Sequence, residues 1–373
     1  MELAEYHALK TLPTPAGPLA YKPGAPGLDD PAYALLARVA EPGGGRALDL
    51  NPGVGTVALA LLRRGLAVTA WEDRKSALRA LEENARRHPG LAVQAALPWQ
   101  VPAAAFDAVA LVLGADRGND WVRAQLAAAT FALAPGGELW LAGSKKLGFE
   151  RYLRWARELV GPGEVVARER GARVAVLQKE RQAPAPAAEM RTFEAVLRGR
   201  THRFGVLPGA FSADEVDPAS RLLLEHLPPL AGGERVLDLG GGYGALALPL
   251  ATEGAGVTLL ENSLAALESA RHNFAQAGLD AELLHSDVDS ALQGPGGYDI
   301  VVSNPPFHVG GHVVLDVAEA FVAAAHLHVR PGGRFYLVAN PFLKYERWMH
   351  GRFGNVQTLY AGRYKVLVSE KTA

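Results

Sequence analysis

The chain repeats itself, and the repeat restricts its fold more than any other feature does. Arg46-Ala47-Leu48-Asp49-Leu50-Asn51-Pro52-Gly53-Val54-Gly55 returns as Arg235-Val236-Leu237-Asp238-Leu239-Gly240-Gly241-Gly242-Tyr243-Gly244, with Asp49 and Asp238 189 positions apart. Glu72 and Glu261, each closing the next apolar run, keep that offset, as do Asn84 and Asn273 in the helical stretches that follow. Later landmarks drift only to 196: Pro135-Gly136-Gly137 against Pro331-Gly332-Gly333, and Phe149-Glu150-Arg151 against Tyr345-Glu346-Arg347. The lead-in repeats too, Asp30-Pro31-Ala32 against Asp217-Pro218-Ala219, at 187. A register kept with only loop-sized drift implies two homologous domains, and 373 residues are long for one core. Within each copy short β-branched runs alternate with helical patterns such as Ser76–Arg87 and Ser263–Ala277, which predicts a parallel sheet wound with helices. The expected division is a first domain over 1–180, a Pro/Ala-rich linker over 181–190 and a second domain over 191–373.

The second copy holds the residues that point to chemistry. Tyr298-Asp299-Ile300-Val301-Val302 reads as a buried strand, and Ser303-Asn304-Pro305-Pro306-Phe307 ends it. Two prolines remove two donors and set two φ angles, so the chain turns stiffly at the carboxyl edge of the sheet, where ligands of open α/β sheets sit. The Asn304 side-chain carbonyl and the Pro305 backbone carbonyl are then two acceptors beside the ring of Phe307. That set suits a planar group bearing an amine; a plain strand-ending turn whose Asn caps a helix is the other reading. Asp238-x-Gly240-x-Gly242-x-Gly244 lets the backbone approach a ligand closely at a helix start. It is neither the dinucleotide pattern nor a phosphate loop. Glu261, ending the next strand, suits the two hydroxyls of a ribose, or else a helix N-terminus. Asp287, closing the apolar run from Leu283, suits an adenine amine, or else a loop cap.

Composition removes several alternatives. With no cysteine there are no disulfides, no cysteine-held zinc or iron–sulfur cluster, and no thiolate for attack on a pyrimidine ring. His326 and His328 lie two apart on a helix and so face different sides, His308 and His312, bordering the tetrad, read as loop residues or else as a rim contact to substrate, and no metal site is expected. Trp140, Trp155 and Trp348 read as core or interface aromatics. No apolar run reaches a membrane-spanning length and the start is acidic, so a cytoplasmic location is expected. Net charge is −1, so any nucleic acid must be held by a local patch. One candidate is a hairpin of Thr192–Leu197 and Thr201–Val206 around Arg198-Gly199-Arg200, where Arg191, Arg198, Arg200, His202 and Arg203 face a single acid, Glu194. It is either a solvated edge or a phosphate-contacting surface.

The order of these features resembles the class I S-adenosylmethionine-dependent methyltransferases, and the tetrad resembles their amino-methylating branch, which acts on base nitrogens or glutamine amides. The duplicated layout is similar to the ribosomal RNA guanine-N2 methyltransferases of the RsmC type. Pro208-Gly209-Ala210-Phe211-Ser212, Leu222-Leu223-Leu224 and Gly362-Arg363-Tyr364-Lys365-Val366 resemble that family as well. The match spans nearly the whole chain, its specific motifs lying in 205–366. Two positions depart from it: Ala219 where the family usually has Gly, and Gly-Gly-Gly-Tyr-Gly where Gly-Cys-Gly is commoner.

The resemblance implies an α/β fold of two tandem Rossmann-like domains, each a mostly parallel seven-stranded sheet with helices on both faces. It implies S-adenosylmethionine as cofactor, with Gly240, Gly242 and Gly244 along its methionine part, Glu261 on the ribose, and Asp287 and the Val288 backbone on the adenine. Asp238, Asn262 and Asn304 are also expected on the cofactor side. Asn304, Pro305 and Phe307 would carry the catalysis. Phe211 and Phe307 would bracket the base, and Pro306, Arg198, Arg200 and Arg203 would face substrate. The implied reaction is methylation of a guanine N2 amine in small-subunit (16S) ribosomal RNA by a cytoplasmic monomer whose partner is that RNA or the small ribosomal subunit. Two rivals stay open: N5-methylation of a protein glutamine, whose tetrad usually ends in Tyr, and a non-catalytic RNA-binding ribosome-assembly factor.

The first copy departs where it matters. Its turn reads Asp49-Leu50-Asn51-Pro52-Gly53, and the position matching Asn304 is Val112, five residues beyond Asp107 as Asn304 is beyond Asp299. This copy is expected to be a scaffold or RNA-contacting module that neither catalyses nor binds cofactor well; a retained cofactor site, on the strength of Glu72, is the other reading.

Overall fold

A computed structural model of the chain describes residues 1–23, 25–306 and 313–372. They form two compact units, Leu9–Glu189 and Met190–Ala373, the second completed by Met1–Ala8. Residues 1–8, expected in the first domain, therefore belong to the second.

The chain opens with α1 (Leu3–His7) of that second unit. The first unit then runs through a hairpin, β1 (Lys10–Thr14) and β2 (Gly17–Tyr21), followed by α2 (Pro31–Val39), β3 (Arg46–Leu50), α3 (Thr56–Arg63), β4 (Ala67–Glu72), α4 (Lys75–Arg87) and β5 (Leu91–Ala95). It continues with β6 (Phe106–Val112), α5 (Asn119–Ala132), β7 (Leu133–Ser144), α6 (Phe149–Leu159), β8 (Gly163–Glu169) and β9 (Ala172–Gln178). The second unit repeats the plan. A hairpin of β10 (Arg191–Leu197) and β11 (Arg200–Val206) leads to α7 (Pro218–His226), β12 (Arg235–Leu239), α8 (Ala247–Thr252), β13 (Gly256–Glu261), α9 (Leu264–Ala277) and β14 (Glu282–His285). Then come β15 (Tyr298–Ser303), α10 (Val313–His328), β16 (Val329–Ala339), α11 (Tyr345–Phe353), β17 (Gln357–Ala361) and β18 (Lys365–Glu370).

Each unit has one seven-stranded sheet, ordered β5-β4-β3-β6-β7-β9-β8 and β14-β13-β12-β15-β16-β18-β17. Pairing is parallel except along β9 and β18. In the second sheet Val236, Ile300 and Val302 face one core while Leu237, Leu239 and Val301 face the other, the alternation of a sheet covered on both sides. Strand order reverses between β12 and β15, so their carboxyl ends open the crevice where such sheets take ligands.

The repeated polar residues are structural anchors. Asp107 accepts the Arg46 amide at 2.8 Å, and Asp299 accepts the Arg235 amide at 2.7 Å, tying matching strands in both copies. Asn84 and Asn273 are fully buried in α4 and α9. Asn84 bonds both backbone groups of Ala20 and the Val54 carbonyl, while Asn273 takes the Gly205 amide and donates to Tyr243. Each asparagine pins its hairpin and glycine turn to one helix, which is why the pair keeps register. Among the described residues no helix is long and apolar enough to cross a membrane, and no cluster of metal-ligating side chains occurs.

Candidate active site

Asn304 follows directly on β15, at the reversal of strand order. Ser303 closes the strand, its buried hydroxyl donating to the Leu239 carbonyl at 2.7 Å. The Asn304 amide nitrogen donates to Asp217 Oδ2 at 2.8 Å and to Ser220 Oγ at 2.9 Å. A carboxylate only accepts, so the amide face is set by chemistry: NH2 inward, carbonyl outward. Both amide hydrogens are used, and the described residues offer no donor to Oδ1. Asp217 is itself held in place, because it caps α7 by accepting the Ala219 and Ser220 amides. Asp217 and Ser220 were missed as site residues; the only sequence signal was the repeated Asp-Pro-Ala lead-in, which marks a helix cap.

The glycine turn follows β12. Gly242 has φ +59°, and a methyl added there meets no described protein atom within 4 Å, so its surface faces open space. Its amide donates to Glu261 Oε2 at 2.9 Å, while Glu261 Oε1 accepts the Ser263 amide at 2.7 Å. Each carboxylate oxygen can accept more than one hydrogen bond, so these anchors still allow it to take ribose hydroxyls. Asn262 lies beside it, its carbonyl bonded by His285 Nε2 at 2.8 Å. Asp287 and Val288 sit just beyond β14, in a turn and not at the strand end expected. Val288 has φ +54°, which a β-branched residue adopts only under constraint. The Ser286 hydroxyl holds its carbonyl at 2.9 Å, and among the described residues no acceptor takes its amide. A carboxylate next to an unclaimed N–H complements the amino edge of adenine. Asp238 requires a correction: it is fully buried beneath the turn, not in the open cradle. Neither of its oxygens makes a hydrogen bond of ordinary geometry, and burial, then the Glu261 charge, push its pKa up to about 8 against the pull of the Ala247 amide.

On the substrate side, Phe211 is 64% exposed ahead of α7, free to stack on a base. Pro305 is buried and Pro306 exposed, while Phe307 lies outside the described residues, as do His308 and His312. Phe342, equally exposed beyond β16, was missed; Asn340-Pro341-Phe342 echoes the tetrad on the neighbouring strand. Arg198 must be withdrawn as a phosphate contact. Its five N–H donors go to both Glu253 oxygens and to the carbonyls of Leu224, Leu227 and Pro228. Arg200 gives one bond to the Thr252 carbonyl, and Arg203 is exposed with no partner among the described residues.

The first unit keeps the frame and closes the cradle. A methyl on Gly53, the counterpart of Gly242, would lie 2.1 Å from the Pro26 carbonyl oxygen, so local backbone covers the turn. Arg74, where the second unit has Ser263, bonds Glu72 Oε1 at 3.2 Å and Asn51 Oδ1 at 2.7 Å. Asn51 Nδ2 in turn donates to the Val112 carbonyl at 2.7 Å, so a side chain spans the gap between turn and strand end.

Comparisons with known proteins bear on the family and the fold. The methyltransferase small domain family matches residues 24–176 and again 201–368. A ribosomal RNA small subunit methyltransferase C from Stutzerimonas stutzeri is 34% identical over 338 residues, covering 88% of this chain and 96% of its own. The protein of that name from Pseudomonas aeruginosa strain LESB58 is 36% identical over 272 residues, covering 70% and 78%. A solved structure of the T. thermophilus 16S rRNA N2 G1207 methyltransferase (RsmC), in complex with AdoMet and guanosine, is similar over the full length of both chains, with 50% identity and TM-score 0.94.

Proposed function

The chain belongs to the ribosomal RNA small subunit methyltransferase C family, and from that premise we propose how its second domain methylates the N2 amine of a guanine in 16S ribosomal RNA. The enzyme is S-adenosylmethionine-dependent. The target proposed is the one its T. thermophilus relative is named for, G1207. In this reading the enzyme is a cytoplasmic monomer, and the first domain is scaffold and RNA contact.

One observation supports the site assignment above others: the Asn304 amide has both hydrogens held by Asp217 and Ser220, leaving Oδ1 as an acceptor at the ligand edge. The bound cofactor supplies an electrophilic methyl group whose bonding pair leaves with sulfur. A guanine amine is a poor nucleophile because its lone pair is delocalised into the ring. Asn304 Oδ1 and the Pro305 carbonyl accept its two hydrogens and favour a pyramidal nitrogen, with the lone pair aimed at that methyl. These fixed dipoles act where positive charge develops, no matched general base is needed before transfer, and the methylated, now acidic nitrogen then releases one proton to solvent. Holding the two reactants in line contributes several kcal/mol to lowering the barrier. Phe211 and Phe307 stack on the base and offset the cost of unstacking it.

Tritium transfer from S-adenosylmethionine into 16S RNA, presented naked and as assembled subunits, followed by nucleoside analysis, tests the reading. The wild-type protein yields N2-methylguanosine and Asn304→Ala loses at least ~100-fold in rate. Transfer by Asn304→Ala at the wild-type rate would overturn it.

A further inference from the structure

α1 belongs to the catalytic unit although the whole first domain separates it from that unit in sequence. Leu3 and Tyr6, three apart on one helical face, pack into the core with Leu239, Leu260 and Val288. Arg352 fastens the segment, donating to the Met1 carbonyl at 2.6 Å and to Glu2 at 2.8 Å. The polar ends of α1 then meet the turn after β14. Tyr6 donates to Asp287 Oδ1 at 3.2 Å, and both side chains are buried. Burial and the Asp287 charge raise the Tyr6 phenol far above its usual range, so it stays a donor. His7 Nε2 lies 2.7 Å from Asp289 Oδ1, and His328 Nε2 lies 3.0 Å from Asp289 Oδ2. Burial alone would raise the Asp289 pKa, but these two histidines hold it well below the usual carboxylate range.

The residue between the two acids is Val288, whose left-handed conformation costs about 1–3 kcal/mol and persists only where neighbours over-determine it. Two of those neighbours are on α1. We infer that the N-terminal helix is a working part of the cofactor site: Tyr6 and His7 are positioning residues that hold the Asp287-Val288-Asp289 turn in the shape that reads the amino edge of adenine. This rests on assigning Asp287 and Val288 to the adenine. It predicts that a feature of cofactor selectivity is encoded at the far end of the chain, outside the methyltransferase small domain matches.

Calorimetry on the full chain with S-adenosylhomocysteine and with its inosine counterpart, which carries a 6-oxo group in place of the amine, tests the inference. The wild type prefers the adenosine form. Tyr6→Phe keeps the packed ring but not the donor, and His7→Ala frees Asp289. Each is expected to weaken binding of the adenosine form about tenfold and to narrow the preference, as loss of a hydrogen bond to a charged group would. In steady-state assays KM for S-adenosylmethionine rises while kcat and KM for RNA hold. If both variants keep the wild-type Kd and preference while Asp287→Ala loses them, the role given to α1 is wrong and the adenine assignment stands. If Asp287→Ala also changes neither, the adenine assignment itself falls.

Discussion

Asn304 was legible in the sequence because two prolines and a buried strand mark its place. Its orientation was not, because it depends on Asp217, 87 positions away. Asp217 Oδ2 does two jobs, capping α7 and holding the Asn304 amide, so Asp217→Ala removes both. Loss of the cap should cost about 0.5–2 kcal/mol of stability. With that acceptor gone Asn304 is no longer held facing the ligand edge, so kcat should fall about 10- to 100-fold with KM for the cofactor unchanged, the signature of a contact made in the transition state. An unchanged kcat would refute the orienting role. A second residue-scale consequence concerns Asp49, the buried counterpart of Asp238. Burial and the nearby Glu72 push its pKa up to about 8, while the Ala58 amide opposes them. Unfolded, it titrates near ~3.9. Its protonated form is favoured in the fold, so this contribution to stability is complete below pH ~4 and is lost as pH rises towards 8. Melting curves from pH 5 to 8 should therefore show Asp49→Asn gaining on the wild type with rising pH, by at least ~1 kcal/mol. A gap that stays constant would contradict the assignment.

At the scale of elements, the hairpin β10–β11 shows why a charge pattern alone misleads. Four arginines and a histidine in a short stretch read as either a solvated edge or a phosphate-contacting surface, yet Arg198 is a brace. Leu224 and Leu227 lie at the end of α7, where helical carbonyls lack intrahelical donors, and Arg198 supplies them while pairing Glu253. Sequence cannot distinguish a cation that closes a helix from one that faces solvent. The hairpin variants divide accordingly. Arg198→Lys cannot reproduce a five-donor fork and should destabilise by ~2–3 kcal/mol with little change in the salt dependence of RNA binding. Arg203→Ala should leave melting unchanged and lower the salt slope by about one unit. The reverse pattern would restore the phosphate role to Arg198. Elsewhere, strands and helices follow the apolar periodicities closely. One element that escaped was α1, whose five residues are too few for a period to register and whose partners lie in a different part of the chain.

For the whole molecule, duplication was the most legible property, since matched anchors such as Asp107 and Asp299 keep both sheets in one register. The departure of the first copy from the second was only half legible. Val112 in the place of Asn304 could be counted, but closure of the cradle by Pro26 and Arg74 depends on contacts that no local pattern encodes. The account therefore predicts one cofactor and one guanosine per chain, both in the second unit. The most direct test is a crystal structure with S-adenosylhomocysteine and guanosine. Guanine N2 should lie within about 3 Å of Asn304 Oδ1 and of the Pro305 carbonyl, with the Asn304 NH2 still on Asp217. An Asn304 amide turned to present its NH2 to the base, or cofactor lodged at the Gly53 turn, would contradict the account.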